Sequence, residues 1–187
     1  MGRVVSFAVL GRPVRWQRPK VVVRHGRQFT INEKEHEAAK KHIAMLARLA
    51  WKGPPVTGPV ILRVDCIFAI PSSWPKAVGQ AAREGRVPYI QDPDYDQLVK
   101  MVMDALVAIV FVDDNQVVST PGGKRYGTPT RTEITIHVLD QQPDEITPAQ
   151  RSVEKRAVEQ GLIPVNHPSR LAPPQLFPPN AETNRGR

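Results

Sequence analysis

The chain has a single cysteine, Cys66. One thiol excludes a disulfide framework within the chain and a cysteine-built zinc site. Its place inside the apolar run Val60–Ile70 marks it as an inert core residue. No run of about 18 consecutive apolar residues occurs, so no membrane span is expected. Met1–Leu10 lacks an apolar signal region with a small-residue cleavage site, so a cytoplasmic location is expected. A Gly-rich phosphate cradle is also missing, which weighs against a small-molecule phosphohydrolase. Acidic residues are the minority, 18 against 26 basic, for a formal net charge of +8.

Such a basic balance attracts polyanions. Arg12, Arg15, Arg18, Lys20, Arg24 and Arg27 form a dense cluster with no acidic residue among them, interleaved with Trp16. A solvated loop is the plain reading; a surface that tracks phosphates is the sharper one. A chain of 187 residues is one ordinary domain with room for a tail.

Residue patterning predicts the elements. Val4–Leu10 reads as a strand ended by Gly11 and Pro13, and 21–24 with 28–31 as a hairpin turning at His25-Gly26. A helix capped by Asn32 runs to about Trp51. Val60–Ile70 is a strong strand, and a short helix starts at Ser73-Trp74-Pro75 and ends near Glu84. Leu98, Met101, Val102, Ala105, Leu106 and Ile109 recur at three- and four-residue steps, which marks one buried helix face. Met103 and Val107 lie nearer its charged side, as partly exposed residues or as a dimer contact. Val110–Val112 and Gln116–Ser119 are strand-like, Pro121-Gly122-Gly123 is a turn, and Arg131–Leu139 alternates as a strand. These elements predict an α+β domain over 1–140, a mixed sheet with two main helices packed on it.

Residues 141–187 differ in composition. They hold eight of the 19 prolines and are nearly neutral, with six basic against five acidic residues. One helical patch, 147–160, interrupts a Pro-rich tail that is otherwise expected to be mobile or to dock a protein partner.

Within this basic chain, Ile90–Gln116 carries Asp92, Asp94, Asp96, Asp104, Asp113 and Asp114 around Lys100. Carboxylates inside a positive field suit a divalent cation beside a phosphate, because Mg²⁺ takes hard oxygen ligands and Mn²⁺ accepts the same donors. Asp94 and Asp96 stand two apart at a helix start and can converge; Asp113 and Asp114 can close the site from a separate segment. Lys100 could orient a carboxylate, contact a scissile phosphate or assist proton transfer. Each feature also has a purely structural reading: an Asp at a helix start as a cap, Asp-Asp as a turn, and Asp96-Lys100-Asp104 as a surface ion-pair ladder.

The ordered set Asp92-Pro93-Asp94-Tyr95-Asp96, Leu98, Lys100, Asp104-Ala105-Leu106 and Val112-Asp113-Asp114-Asn115-Gln116 resembles the RusA family of Holliday junction resolvases. Gly11-x-Pro13 with Arg18-Pro19-Lys20, and Lys124 with Tyr126, are similar to that family's opening and late motifs. The resemblance covers about residues 3–140. It implies a Mg²⁺-dependent homodimeric endonuclease acting on four-way DNA junctions, and a prophage or phage setting fits it. It also implies Asp94, Asp96 and Asp114 as essential carboxylates and Lys100 as the essential lysine, with Asp113 and Asp104 in support. Arg12–Arg27, Lys124 and Arg125 would hold the DNA arms. Two departures stand out: Gln97 replaces an asparagine, and Val107-Ala108 replaces an asparagine-glycine after the helix. Competing expectations are a non-cutting branched-DNA-binding module, a nuclease for forks, and an interaction protein working through its tail. If the acidic motif is the whole active centre, truncation after Asp140 should leave cutting intact.

Overall fold

The computed structural model describes residues 2–18, 20–24, 27–31, 34–141 and 145–165, with only the backbone described for 20–31. Alternation sets the first strand. β1 (Val4–Leu10) turns Val5, Phe7 and Val9 toward the core and leaves Val4 and Leu10 exposed. β2 (Lys20–Arg24) and β3 (Arg27–Ile31) form the expected antiparallel hairpin. The His25-Gly26 turn and the Asn32 cap lie outside the described residues.

α1 (Lys34–Ala50) buries Ile43 and Ala47. β4 (Val60–Phe68) follows, then α2 (Lys76–Arg83) and α3 (Tyr95–Leu106). β5 (Val117–Ser119), β6 (Gly122–Tyr126), β7 (Arg131–Val138) and α4 (Pro148–Glu159) complete the chain of elements.

β4 is the middle of a five-stranded mixed sheet. β7 pairs antiparallel along one side of it, and β1 pairs antiparallel with β7. The other side of β4 carries two short parallel pieces: β5 at Val60 and Ile61, then β6 along Val64–Phe68. α1 and α3 pack together and supply the second layer, so the architecture is the α+β arrangement expected. Val60, Leu62, Val64 and Cys66 of β4 meet Leu98, Met101, Val102 and Leu106 of α3 in one apolar cluster with Ile134 and Ile136 of β7. Each fully buried aliphatic or aromatic side chain there contributes roughly 1.5–3 kcal/mol from burial. The opposite face of the sheet is polar. Ser6 Oγ donates to Thr135 Oγ1, Arg63 pairs with Asp65, and Glu133 receives both Arg125 and Arg131.

Several expectations are corrected. Val110–Val112 is not a strand; Phe111 makes only single bridges, to Val56 and Val107. Here the chain reverses sharply after α3, with Ala108 in the left-handed region at φ 62°, and Phe111 drops fully into the core. Conversely, Pro121-Gly122-Gly123 is not just a turn, because β6 begins at Gly122. Gly122 has φ 128°, and a Cβ there would lie 2.0 Å from the Val64 carbonyl oxygen, so only glycine lets this edge approach β4. Met103 and Val107 pack partly buried against the main core. No helix among the described residues is long and apolar enough to cross a membrane.

The 147–160 segment does form a helix, α4, and it docks. Thr147 caps it through a box with Gln150, with Pro148 in its first turn. Ala157 and Ile163 bury against Val112 in a second, smaller apolar cluster.

Candidate active site

Apolar periodicity presses one face of α3 onto β4, and this aims the opposite face, with Lys100 and Asp104, outward. Asp94 occupies the N-cap position, yet its side chain makes no capping hydrogen bond. Asp94 and Asp96 are both exposed, and neither carboxylate has a hydrogen-bond or ion-pair partner among the described residues. Tyr95 between them anchors the helix start. Its hydroxyl donates to the Val64 carbonyl at 2.9 Å and to the Pro121 carbonyl at 3.3 Å, and burial pushes the phenol up to about 12.

The second acidic segment is brought to α3 by Lys100. Its Nζ lies 2.8 Å from Asp114 Oδ2 and 2.9 Å from Asp104 Oδ1. The expected Asp96-Lys100-Asp104 ladder is therefore half present: Lys100 takes Asp104 and Asp114 and leaves Asp96 aside. The hydrogen bond to Asp114, then the one to Asp104, raises the Lys100 pKa above the ordinary lysine value, so this ammonium stays charged at neutral pH. That favours a cationic role for Lys100 over proton transfer.

Asp113 and Asp114 are neighbours with different surroundings. Asp113 Oδ1 accepts the Asn115 N–H at 3.0 Å, capping the short 3-10 turn Asp114–Gln116, and its Oδ2 takes the Arg156 guanidinium from α4. The Asn115 N–H, aided by Arg156 against the effect of burial, holds the Asp113 carboxyl below its ordinary value. Asp113, an expected metal ligand, thus has one oxygen on the turn and the other on Arg156.

Gln116 was prominent in the sequence only as the end of a motif. Buried, its amide satisfies four backbone groups: Oε1 accepts from Val112 N and Asp113 N at 2.9 Å each, and Nε2 donates to Val56 O at 2.9 Å and Gly58 O at 2.8 Å. One side chain thus pins the aspartate turn to the loop before β4. Its signal in the sequence was its fixed place after the aspartate pair.

Basic residues divide between tasks. Arg15 and Arg18 line a cleft of about 820 Å³ with Trp16, Asp96, Lys100 and Met103. The Trp16 N–H donates to the Gln97 carbonyl at 3.0 Å, which lays this N-terminal segment across the start of α3. Arg15 also pairs with Asp92 at 3.0 Å, and Arg12 is exposed nearby. Lys20, Arg24 and Arg27 lie on the hairpin, and their side chains are outside what is described. Strand alternation sends Lys124 and Arg125 to opposite faces of β6. Arg125 joins Glu133 on the polar sheet face, at 3.0 Å. Lys124 Nζ donates to Gln91 O and Pro93 O at 2.8 Å each, beside the Tyr89 ring. It therefore ties down the loop that delivers Asp94.

Oxygen donors, two of them open carboxylates at one helix start, fit a hard cation such as Mg²⁺, which binds through one or two carboxylates and keeps several waters. Among the described residues no group of three His, Cys, Asp or Glu side chains is placed to hold a metal ion, so Asp114, held by Lys100, is not gathered with Asp94 and Asp96 into a three-carboxylate set. Asp96 shares the arginine-lined cleft with Lys100, and Lys100 bridges onward to Asp114.

A family model described as Endodeoxyribonuclease RusA matches residues 11–137, which contain every residue of this site except Arg156. The chain is also similar to "Uncharacterized protein YqaN" of Bacillus subtilis (strain 168). The two are 31% identical over 134 residues, covering 71% of this chain and 94% of the relative.

Proposed function

The chain belongs to the RusA endodeoxyribonuclease family, and from that premise we propose that it resolves four-way DNA junctions, as a homodimer, by Mg²⁺-dependent phosphodiester hydrolysis. The observation that carries this reading is Lys100, which bridges Asp104 and Asp114 and shares with the open carboxylate of Asp96 a cleft edged by Arg15 and Arg18. Asp94, Asp96 and Asp114 would hold the cation, with Mn²⁺ as a substitute; when bound it supplies an activated water and offsets charge on the phosphate and the departing oxygen. Asp113 shapes the turn that presents Asp114. Lys100, cationic at neutral pH, stabilises negative charge developing on the phosphate. Arg12, Arg15 and Arg18, continued by the hairpin that carries Lys20, Arg24 and Arg27, contact backbone phosphates and position the arms without reading sequence. A two-fold dimer matches the two-fold symmetry of a junction and sets one site on each of two strands, so that paired cuts release two nicked duplexes.

Cleavage of junction, fork, duplex and single strand, side by side with Mg²⁺, tests the substrate class. Asp96→Asn should bind the junction and fail to cut it; normal cutting by this variant rejects the assignment. A second reading, a branched-DNA-binding module that does not cut, draws on Lys100 engaging two of the carboxylates. Cleavage by the wild-type protein that EDTA abolishes would remove it.

A further inference from the structure

We propose that α4, outside the family-matched residues, is a strap for the acidic turn, and that Arg156 is a positioning residue that holds Asp114 in register with Lys100. The family match ends at residue 137, and α4 starts at Pro148. Yet α4 returns to the site. Three independent contacts join it to the segments that frame the acidic turn. Arg156 pairs with Asp113, whose other oxygen caps the Asn115 N–H. Ala157, fully buried, packs with Ile163 on Val112, the residue just before Asp113. Glu154, 6% exposed, accepts the Thr57 hydroxyl at 3.4 Å, between the Val56 and Gly58 carbonyls that hold Gln116.

These contacts act on one short piece of chain. Val112–Gln116 contributes Asp114 and Gln116 to the site, and its regular structure is a single 3-10 turn, Asp114–Gln116. Like charge also opposes its conformation, since Asp113 and Asp114 are adjacent carboxylates. Arg156 neutralises Asp113 and leaves Asp114 to Lys100. A guanidinium with its fork-shaped donors is suited to fixing a carboxylate in direction as well as in charge. The outcome expected from the acidic motif alone, that truncation after Asp140 leaves cutting intact, is therefore reversed. Loss of α4 should loosen the turn and impair cutting.

The structural half of this inference stands by itself; its catalytic consequence rests on the nuclease reading. The test uses full-length protein with Arg156→Ala and Arg156→Lys. Amide hydrogen exchange of metal-free protein should accelerate at Asn115 and Gln116 in Arg156→Ala by at least about tenfold, as expected for loss of a charge-assisted contact. Exchange in β4 and α3 should stay at wild-type rates. In junction cleavage, the Mg²⁺ concentration for half-maximal rate should rise by about tenfold on the same basis. Junction affinity in EDTA should stay unchanged, and Arg156→Lys should recover part of the loss. Unchanged exchange at the turn overturns the strap. Faster exchange with a wild-type metal requirement and rate overturns the positioning role. If the wild-type protein cuts no branched DNA, the nuclease reading falls, while the exchange rates still decide for or against the strap.

Discussion

Lys100 and Asp114, 14 positions apart, meet at 2.8 Å and join helix α3 to the turn after it. The contact makes one unit of two acidic segments that the chain carries separately. Lys100 is 41% exposed and Asp114 35%, so the pair remains open to a large polyanion.

Lys100→Ala is expected to lower the cleavage rate at saturating junction by about 10²–10³-fold, the range for removing a group that stabilises developing charge. Junction affinity should stay near wild type, measured by gel shift in EDTA. The pH dependence has a definite sign. The folded pKa of Lys100 lies above the ordinary 10.5, raised by Asp114 and then Asp104, so the stability that its charge contributes is fully present below 10.5 and is lost as pH rises through the higher folded value. The rate profile should show no fall due to Lys100 below that point; a lysine limb near neutrality would contradict the assignment.

Gln116→Leu should destabilise the fold by at least about 3 kcal/mol, because Val112 N, Asp113 N, Val56 O and Gly58 O all lose their partner. Gln116→Glu keeps the acceptor and loses the donor, so its loss should be intermediate. Urea denaturation ranks the three proteins, and equal stability of Leu and wild type would show that water replaces the amide without cost.

Lys124→Met should lower the melting temperature and the cleavage rate together, since Gln91 O and Pro93 O lose their shared donor and the Asp94 loop loosens. The loss should amount to about 1–3 kcal/mol. The salt dependence of junction affinity distinguishes this from a phosphate contact. A slope reduced by about one would return Lys124 to the DNA surface; an unchanged slope supports the loop anchor.

Ala108→Gly should stabilise the protein by about 1 kcal/mol, because Ala108 is held at φ 62°, where an L side chain is strained and glycine is not. The melting temperature should then rise by about 2–4 °C. A fall instead would mean that the chain freedom lost by glycine on folding outweighs the strain. The family's asparagine-glycine at this step is explained by the same left-handed turn.

Helices and the main strands were legible because their signals are local. The face Leu98–Met101–Val102–Ala105 reports its own burial, and the alternation in Val4–Leu10 and Arg131–Val138 reports theirs. β6 was not legible. Its residues Gly122-Gly123-Lys124-Arg125-Tyr126 carry little strand preference, and they pair because β4 presents an edge that only glycine can approach so closely.

By itself the sequence determined the two acidic segments, the lysine between them, the basic N-terminal cluster and the family to which these belong. Side-chain type and spacing suffice for that, since a carboxylate is a hard ligand wherever it sits. Partnership was decided by the tertiary structure alone. Asp113 and Asp114 are identical in type and adjacent in sequence, yet one meets Arg156 of α4 and the other Lys100 of α3. Lys124 and Arg125 likewise face opposite ways across one sheet. Hydrogen bonds and ion pairs act over about 3 Å, and only the folded path of the chain sets which groups come that close.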